Sequence, residues 1–216
     1  MARLRTAVLI SGRGSNMQAL IESCRASSAP AEIVLVLSND PAAAGLRYAE
    51  QAGIPTGVVD HRTFRDRAAF DVEIDRRLRA AAVAFVCLAG FMRLLTPAFV
   101  ERWRDRMINI HPSLLPAFPG LDTHARALAA GVRFHGCTVH FVRHATDTGP
   151  IIIQAAVPVH AGDTPDVLAA RVLAEEHRIY PQALAWIAEG RVHVDGDRTV
   201  IDGATAPPGG LVNPMP

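Results

Sequence analysis

The chain has 216 residues, half of them hydrophobic and a fifth charged, which suits one domain with a sizeable core and excludes a chain disordered by composition. Its 22 Lys and Arg against 21 Asp and Glu leave a formal charge of +1, so no global excess draws in a nucleic-acid backbone. Cys24, Cys87 and Cys137 form no CxxC pair, no apolar run reaches the roughly 18 residues of a membrane span, and no long apolar core follows Met1–Arg5, so the expectation is a cytoplasmic protein without disulfide, thiolate zinc site, membrane segment or secretory signal.

Thr6–Ile10 is a short apolar run that stops at Ser11-Gly12-Arg13-Gly14-Ser15-Asn16 and passes into the helix-like Met17–Cys24, which reads as strand, tight loop, helix. Ile33–Leu37 repeats the strand signal, followed by the turn Ser38-Asn39-Asp40-Pro41 and a helical stretch ending near Gly53; Thr56–Val59 is a third strand. Phe70, Ile74 and Leu78 place one apolar face on a helix over Ala68–Ala82, and Val83–Ala89 reads as a buried strand. Strands alternating with helices predict an α/β fold, a mainly parallel sheet covered on both faces.

Met107–Ile110 is strand-like and runs into a shaped loop, because Pro112 and Pro116 forbid regular structure there. Thr138–Val142 and Ile151–Val159, joined through Arg143–Pro150, pair as an antiparallel ribbon and make the sheet mixed. The longest helix is Thr164–Glu189, capped by Asp163 or Thr164, stopped by Gly190, and expected to end or kink at Pro181. Asp195-Gly196-Asp197 is a hairpin turn between Arg191–Val194 and Thr199–Ile201, and the Pro- and Gly-rich stretch 204–216 is expected to be unstructured.

The Gly12-to-Asn16 loop sits outside the carboxyl end of a first strand, where helix N–H groups point at an anion. Met17 stands where the dinucleotide fingerprint needs glycine, and Gly-Lys-Ser/Thr is absent, so a single phosphate and a plain connecting turn remain equal readings. Asn109 and His111 flank Ile110, so strand alternation sends both side chains to one face. An amide N–H can hold an oxyanion and an imidazole can move a proton, although an isolated pair of this kind also serves loop backbone. Asp147, in a glycine-flanked loop, could favour the imidazolium of His111 if the sheet closes that distance; taken alone, an acidic turn residue is far more often solvated than catalytic. His140 and His144 lack the one-turn helical spacing of a zinc helix, so no metal is expected, and no Gly-x-Ser-x-Gly elbow marks a serine hydrolase.

The string Asn109-Ile110-His111-Pro112-Ser113-Leu114-Leu115-Pro116, Gly120, Thr138-Val139-His140-Phe141-Val142 and Asp147-x-Gly149 resembles the folate-dependent formyltransferases, above all those acting on glycinamide ribonucleotide. Leu9-Ile10-Ser11-Gly12-x-Gly14-Ser15-Asn16, Leu88-Ala89-Gly90-Phe91-Met92-Arg93 and Ala161-Gly162-Asp163 extend the likeness from about Ala7 to Gly190. The resemblance implies a Rossmann-like formyltransferase fold over residues 1–203. It implies transfer of a formyl group from 10-formyltetrahydrofolate to glycinamide ribonucleotide in purine synthesis, by a monomer or homodimer without metal, nucleic acid or membrane.

By the same matching Asn109, His111 and Asp147 are catalytic, and Gly14, Ser15, Asn16 and Glu176 hold the ribonucleotide. Folate then lies along Arg67, Met92, Arg93, Leu94, Leu95, Asn109, Arg143, His144, Ala145, Thr146 and Asp147. Ala117 stands where relatives often carry a basic residue and Leu173 where some carry a polar one. The alternatives are a formyltetrahydrofolate deformylase, which in the family carries a further regulatory domain in front, and a non-catalytic nucleotide-binding protein. A methionyl-tRNA formyltransferase would add a carboxy-terminal domain that the turn-rich tail does not supply.

Overall fold

β1 (Leu4–Ile10) is buried from Thr6 onward, and its alternating side chains feed two cores: Ala7 and Leu9 one side of the sheet, Val8 and Ile10 the other. In the computed structural model, which describes residues 2–214, a seven-stranded sheet runs in the order β3-β2-β1-β4-β5-β6-β7. β2 (Ala31–Ser38), β3 (Thr56–Val58), β4 (Phe85–Leu88) and β5 (Met107–His111) join β1 in parallel. β6 (Phe134–Phe141) and β7 (Ile151–Pro158) add an antiparallel pair, as the sequence leads one to expect.

α1 (Ser15–Ser23), α2 (Gly45–Gln51) and α6 (Pro165–Ala188) cover one face. α3 (Arg67–Ala80) and α4 (Pro97–Arg102) cover the other, α3 through Phe70, Ile74 and Leu78, each contributing roughly 1.5–3 kcal/mol by burial. α5 (Thr123–Ala129) packs against α6. The hairpin β8 (Val192–Asp195) and β9 (Arg198–Ile201) forms a separate two-stranded sheet, with Gly196 at φ +58° in its turn.

One expectation changes. Pro181 does not end α6, which runs unbroken to Ala188. Ile179 and Tyr180 before it and Ala183 and Leu184 after it are all buried, and the Tyr180 hydroxyl donates to the carbonyls of Leu88 at 2.9 Å and Ile108 at 3.2 Å. That packing outweighs the one backbone bond a proline removes. The stretch 204–214 has neither helix nor strand, but it is tied down where Asn213 Nδ2 donates to the carbonyls of Arg133 at 2.5 Å and Val159 at 3.0 Å. The remaining tail residues, Met215 and Pro216, lie outside the described residues.

Candidate active site

β1 pairs with β2 on one side and β4 on the other, so the chain changes direction across the sheet at this point and opens a crevice beyond the carboxyl ends of the strands. Three segments enter the crevice: the glycine loop after β1, the irregular Ala89–Thr96 stretch after β4, and His111 at the end of β5.

Gly14 caps α1 in the left-handed region, φ +72° and ψ 31°, which a side chain resists. A Cβ there would also lie 3.1 Å from Met17 Cε and 3.2 Å from Gly45 Cα. The Gly45 N–H donates to the Gly12 carbonyl at 3.0 Å and fixes the loop from outside. The Asn16 side chain turns inward, its Nδ2 donating at 2.6 Å to Glu176 on α6, 160 residues away. Asn16 thereby meets the other residue expected to hold the ribonucleotide. Burial pushes the Glu176 carboxyl up, against the Asn16 hydrogen bond and the nearby His111, while Asn16 Oδ1 is buried without a partner.

Asn109, His111 and Asp147 come together. His111 Nδ1 lies 3.4 Å from Asp147 Oδ2, and His111 Nε2 lies 3.0 Å from the Phe118 carbonyl. Asp147, at φ +56°, also accepts the Gly120 N–H at 2.8 Å. Asn109 Nδ2 lies 3.3 Å from His140 Nε2, its neighbour in the antiparallel register, and His140 Nε2 is 3.9 Å from Asp147 Oδ1. His140 Nδ1 faces the Phe141 carbonyl at 3.0 Å; a carbonyl only accepts, so Nδ1 carries the proton. Burial holds this imidazole below its usual range, which keeps it neutral, so Nε2 offers a lone pair to the Asn109 amide. His140 is the residue missed in the sequence: it sits opposite Asn109 in strand register, a relationship visible only once β5 and β6 are paired.

A cleft of about 130 Å³ opens above this group. Of the expected folate residues, Arg93, Leu94, Leu95, Asn109, Arg143, His144, Thr146 and Asp147 line it, together with Leu88, Phe91, Val100, His140 and Val142, which the sequence did not suggest. Met92 is 67% exposed and outside the lining, because its backbone rather than its side chain turns inward, its N–H donating to Ser11 Oγ at 2.7 Å. Ala145 and Arg67 are exposed and also outside it, Arg67 because it starts α3 across the adjacent wall. The cleft walls include Arg93 Nε and Arg143 Nε, both buried without partners and able to donate to acceptor atoms of a ligand. Among the described residues no His, Cys, Asp and Glu side chains group to hold a metal ion.

The family model "Formyl transferase" matches residues 4–184, a span that contains every element of this edge. The chain belongs to the formyl transferase family. The chain is 47% identical to the phosphoribosylglycinamide formyltransferase of Escherichia coli over 203 residues, 94% of its length and 96% of that protein. It is 54% identical to the trifunctional purine biosynthetic protein adenosine-3 of Bos taurus over 192 residues, 89% of this chain but only 19% of the relative's length. Glycinamide ribonucleotide transformylase 1 from Symbiobacterium toebii superposes with a TM-score of 0.90 at 48% identity, covering 92% of this chain and 94% of that one.

Proposed function

We propose that the protein transfers the formyl group of 10-formyltetrahydrofolate to the amine of glycinamide ribonucleotide in de novo purine synthesis, with residues 1–203 as the catalytic unit. The observation that carries this reading is the meeting of His111 with Asp147, where Asp147 and Asn109 line a cleft on the sheet edge that also carries the glycine loop. In this reading the two substrates lie end to end, the folate at the cleft and the ribonucleotide phosphate at Gly14, Ser15 and the N–H groups of α1. Arg93 and Arg143 offer folate their unpartnered N–H groups, and Glu176, held by Asn16, faces the glycinamide side.

The neutral amine attacks the formyl carbon, a C–N bond forms, and the carbonyl electrons move to oxygen. Asn109 has spent one Nδ2 hydrogen on His140 and turns the other to the oxyanion. His111 faces the Asp147 carboxylate with Nδ1 and the Phe118 carbonyl with Nε2, and it supplies the second donor when the oxyanion takes the place of that carbonyl at Nε2. Collapse breaks the bond to the folate nitrogen, which takes the proton released by the amine through a relay water. The products are formylglycinamide ribonucleotide and tetrahydrofolate. Three buried free cysteines fit a reducing cytoplasm as the place of action.

The test is amine dependence. The absorbance change of 10-formyltetrahydrofolate is followed with and without glycinamide ribonucleotide. Turnover with both compounds is the expected result; equal turnover without the amine selects hydrolysis of the formyl group, and ligand binding with no turnover selects a nucleotide-binding protein.

A further inference from the structure

The cleft wall between Gly90 and Thr96 has neither helix nor strand, yet it presents Phe91, Arg93, Leu94 and Leu95 to the cleft. Backbone without a ladder must find its hydrogen bonds elsewhere. Side chains from outside the wall hold it near both ends. Ser11 Oγ takes the Met92 N–H at 2.7 Å while donating to Asn39 Oδ1 at 2.5 Å, and Asp71 Oδ2 takes the Thr96 N–H at 2.7 Å. Thr96 in turn caps α4, its Oγ1 accepting the Phe99 N–H at 3.3 Å. Asp71 thus fixes the point where the wall becomes the helix that adds Val100 to the cleft.

The choice of an acid for this task is costly. Asp71 is only 3% exposed, its second oxygen has no partner, and burial pushes the carboxyl up against the Thr96 bond and the charges of Arg67 and Arg93. A half-satisfied buried carboxylate is not what stability alone selects. Asp75, one turn further along α3, shows the contrast: its carboxylate takes bonds from Arg79, Arg102 and the Trp103 indole, which tie α3 to α4, and none from the wall.

We propose that Asp71 is a positioning residue for the folate: from outside the cleft it clamps the Gly90–Thr96 wall through the Thr96 N–H and sets how that wall presents Arg93, Leu94 and Leu95. This rests on the folate-dependent transfer proposed above. Asp71 acts on the binding of one substrate and leaves the reacting atoms to Asn109, His111 and Asp147.

The test compares wild type with Asp71→Leu, which fills the space without an acceptor, Asp71→Asn, whose amide oxygen still accepts the Thr96 N–H, and Asp75→Asn as the packing control. In Asp71→Leu the KM for 10-formyltetrahydrofolate and the Kd of tetrahydrofolate rise about fivefold or more, while kcat and the KM for the ribonucleotide stay within about twofold. Asp71→Asn regains most of the loss, and Asp75→Asn leaves the folate constants within about twofold even where it lowers Tm. Unchanged folate binding in Asp71→Leu, an equal loss in Asp71→Asn, or the same loss in Asp75→Asn overturns the proposal. Hydrogen exchange of the Thr96 amide reports the clamp without any ligand: it is protected in wild type and Asp71→Asn, and an unprotected Thr96 amide in the folded wild type overturns the proposal even if Asp71→Leu does not fold. Failure of wild type to turn over with both substrates defeats the transfer reading instead, and the Thr96 exchange distinguishes the two failures.

Discussion

The Asp147 carboxylate stands 3.4 Å from Nδ1 of His111 with the same oxygen that accepts the Gly120 N–H at 2.8 Å. One oxygen therefore joins the imidazole to the loop between β5 and α5, and that loop returns the Phe118 carbonyl to the other ring nitrogen at 3.0 Å. Ring, carboxylate and loop form a closed circuit, so the donor state of His111 and the order of the loop depend on one another. Asp147 itself comes from the β6–β7 connection, which makes the antiparallel pair the part of the sheet that completes the site.

Asp147→Asn breaks the charge in this circuit while keeping its shape. Turnover is expected to fall roughly a hundredfold or more, with ribonucleotide affinity retained within about threefold, since the change acts on charge developing during reaction and not on the phosphate loop. Steady-state rates and calorimetry with the ribonucleotide check this. A large affinity loss at unchanged kcat would move Asp147 from the reaction to substrate anchoring.

His140→Leu removes the lone pair that orients Asn109 and frees the amide to rotate. A misplaced donor is worth roughly ten- to a hundredfold in kcat. The decisive measurement is the double variant: His140→Leu with Asn109→Ala is expected to be no slower than Asn109→Ala alone, because His140 acts through Asn109. Additive losses in kcat would give His140 an independent role.

Much of this was legible in the sequence. The apolar run ending in Ser11-Gly12 gave strand and loop, Thr164 and Gly190 bounded α6, with Thr164 Oγ1 accepting the Val167 N–H at 3.3 Å, and Asp195-Gly196 turned the last hairpin. α4 and α5 were not legible, because six and seven residues are too short for a helical period to declare itself; Thr96 with Pro97, and Asp122 at φ +55°, start them locally. β6 starts four residues before the expected Thr138, since Gly136 reads as a breaker although a Cβ there would meet the Ala155 carbonyl oxygen at 1.9 Å. In the site, Asn109 and His111 carried a strand alternation and Asp147 entered through the family resemblance, whereas the Phe118 carbonyl and Gly120 N–H are backbone groups that no residue type announces.

Gly14→Val places a branched side chain at φ +72° and 3.1–3.2 Å from Met17 and Gly45. Ribonucleotide affinity is expected to drop about tenfold or more while tetrahydrofolate binding holds, because the strain stays on the phosphate side of the crevice. Ser15→Ala, which leaves the backbone alone, gives the milder loss of one donor. If the folded Gly14→Val protein binds the ribonucleotide as wild type does, the loop is a connector and nothing more.

His135 on β6 sets a pH limit on stability. Burial, helped by the neighbouring His124 and opposed by the Pro112 carbonyl, lowers its imidazole to about 4, and its Nε2 is buried without a partner. The His124 ring stands edge-on at 5.2 Å and is lowered by burial as well. A base lowered on folding binds its proton more readily in the unfolded chain, so the sign is fixed. Above the ordinary histidine value of about 6.5 neither state is protonated and stability does not depend on this group. As pH falls from there to about 4 the unfolded chain gains the proton first, and each pH unit removes about 1.4 kcal/mol of stability through His135. Below that both states carry the proton and the contribution levels off. His124, His140 and His177 are lowered in the same direction, so the wild-type slope contains all of them and the informative quantity is a difference. Urea unfolding of wild type and His135→Phe, measured between pH 7.5 and 5, is expected to give a shallower fall in the variant by about one proton's worth. Parallel curves would mean that His135 takes its proton without loss in the folded protein, and that the acid limit belongs to the other histidines.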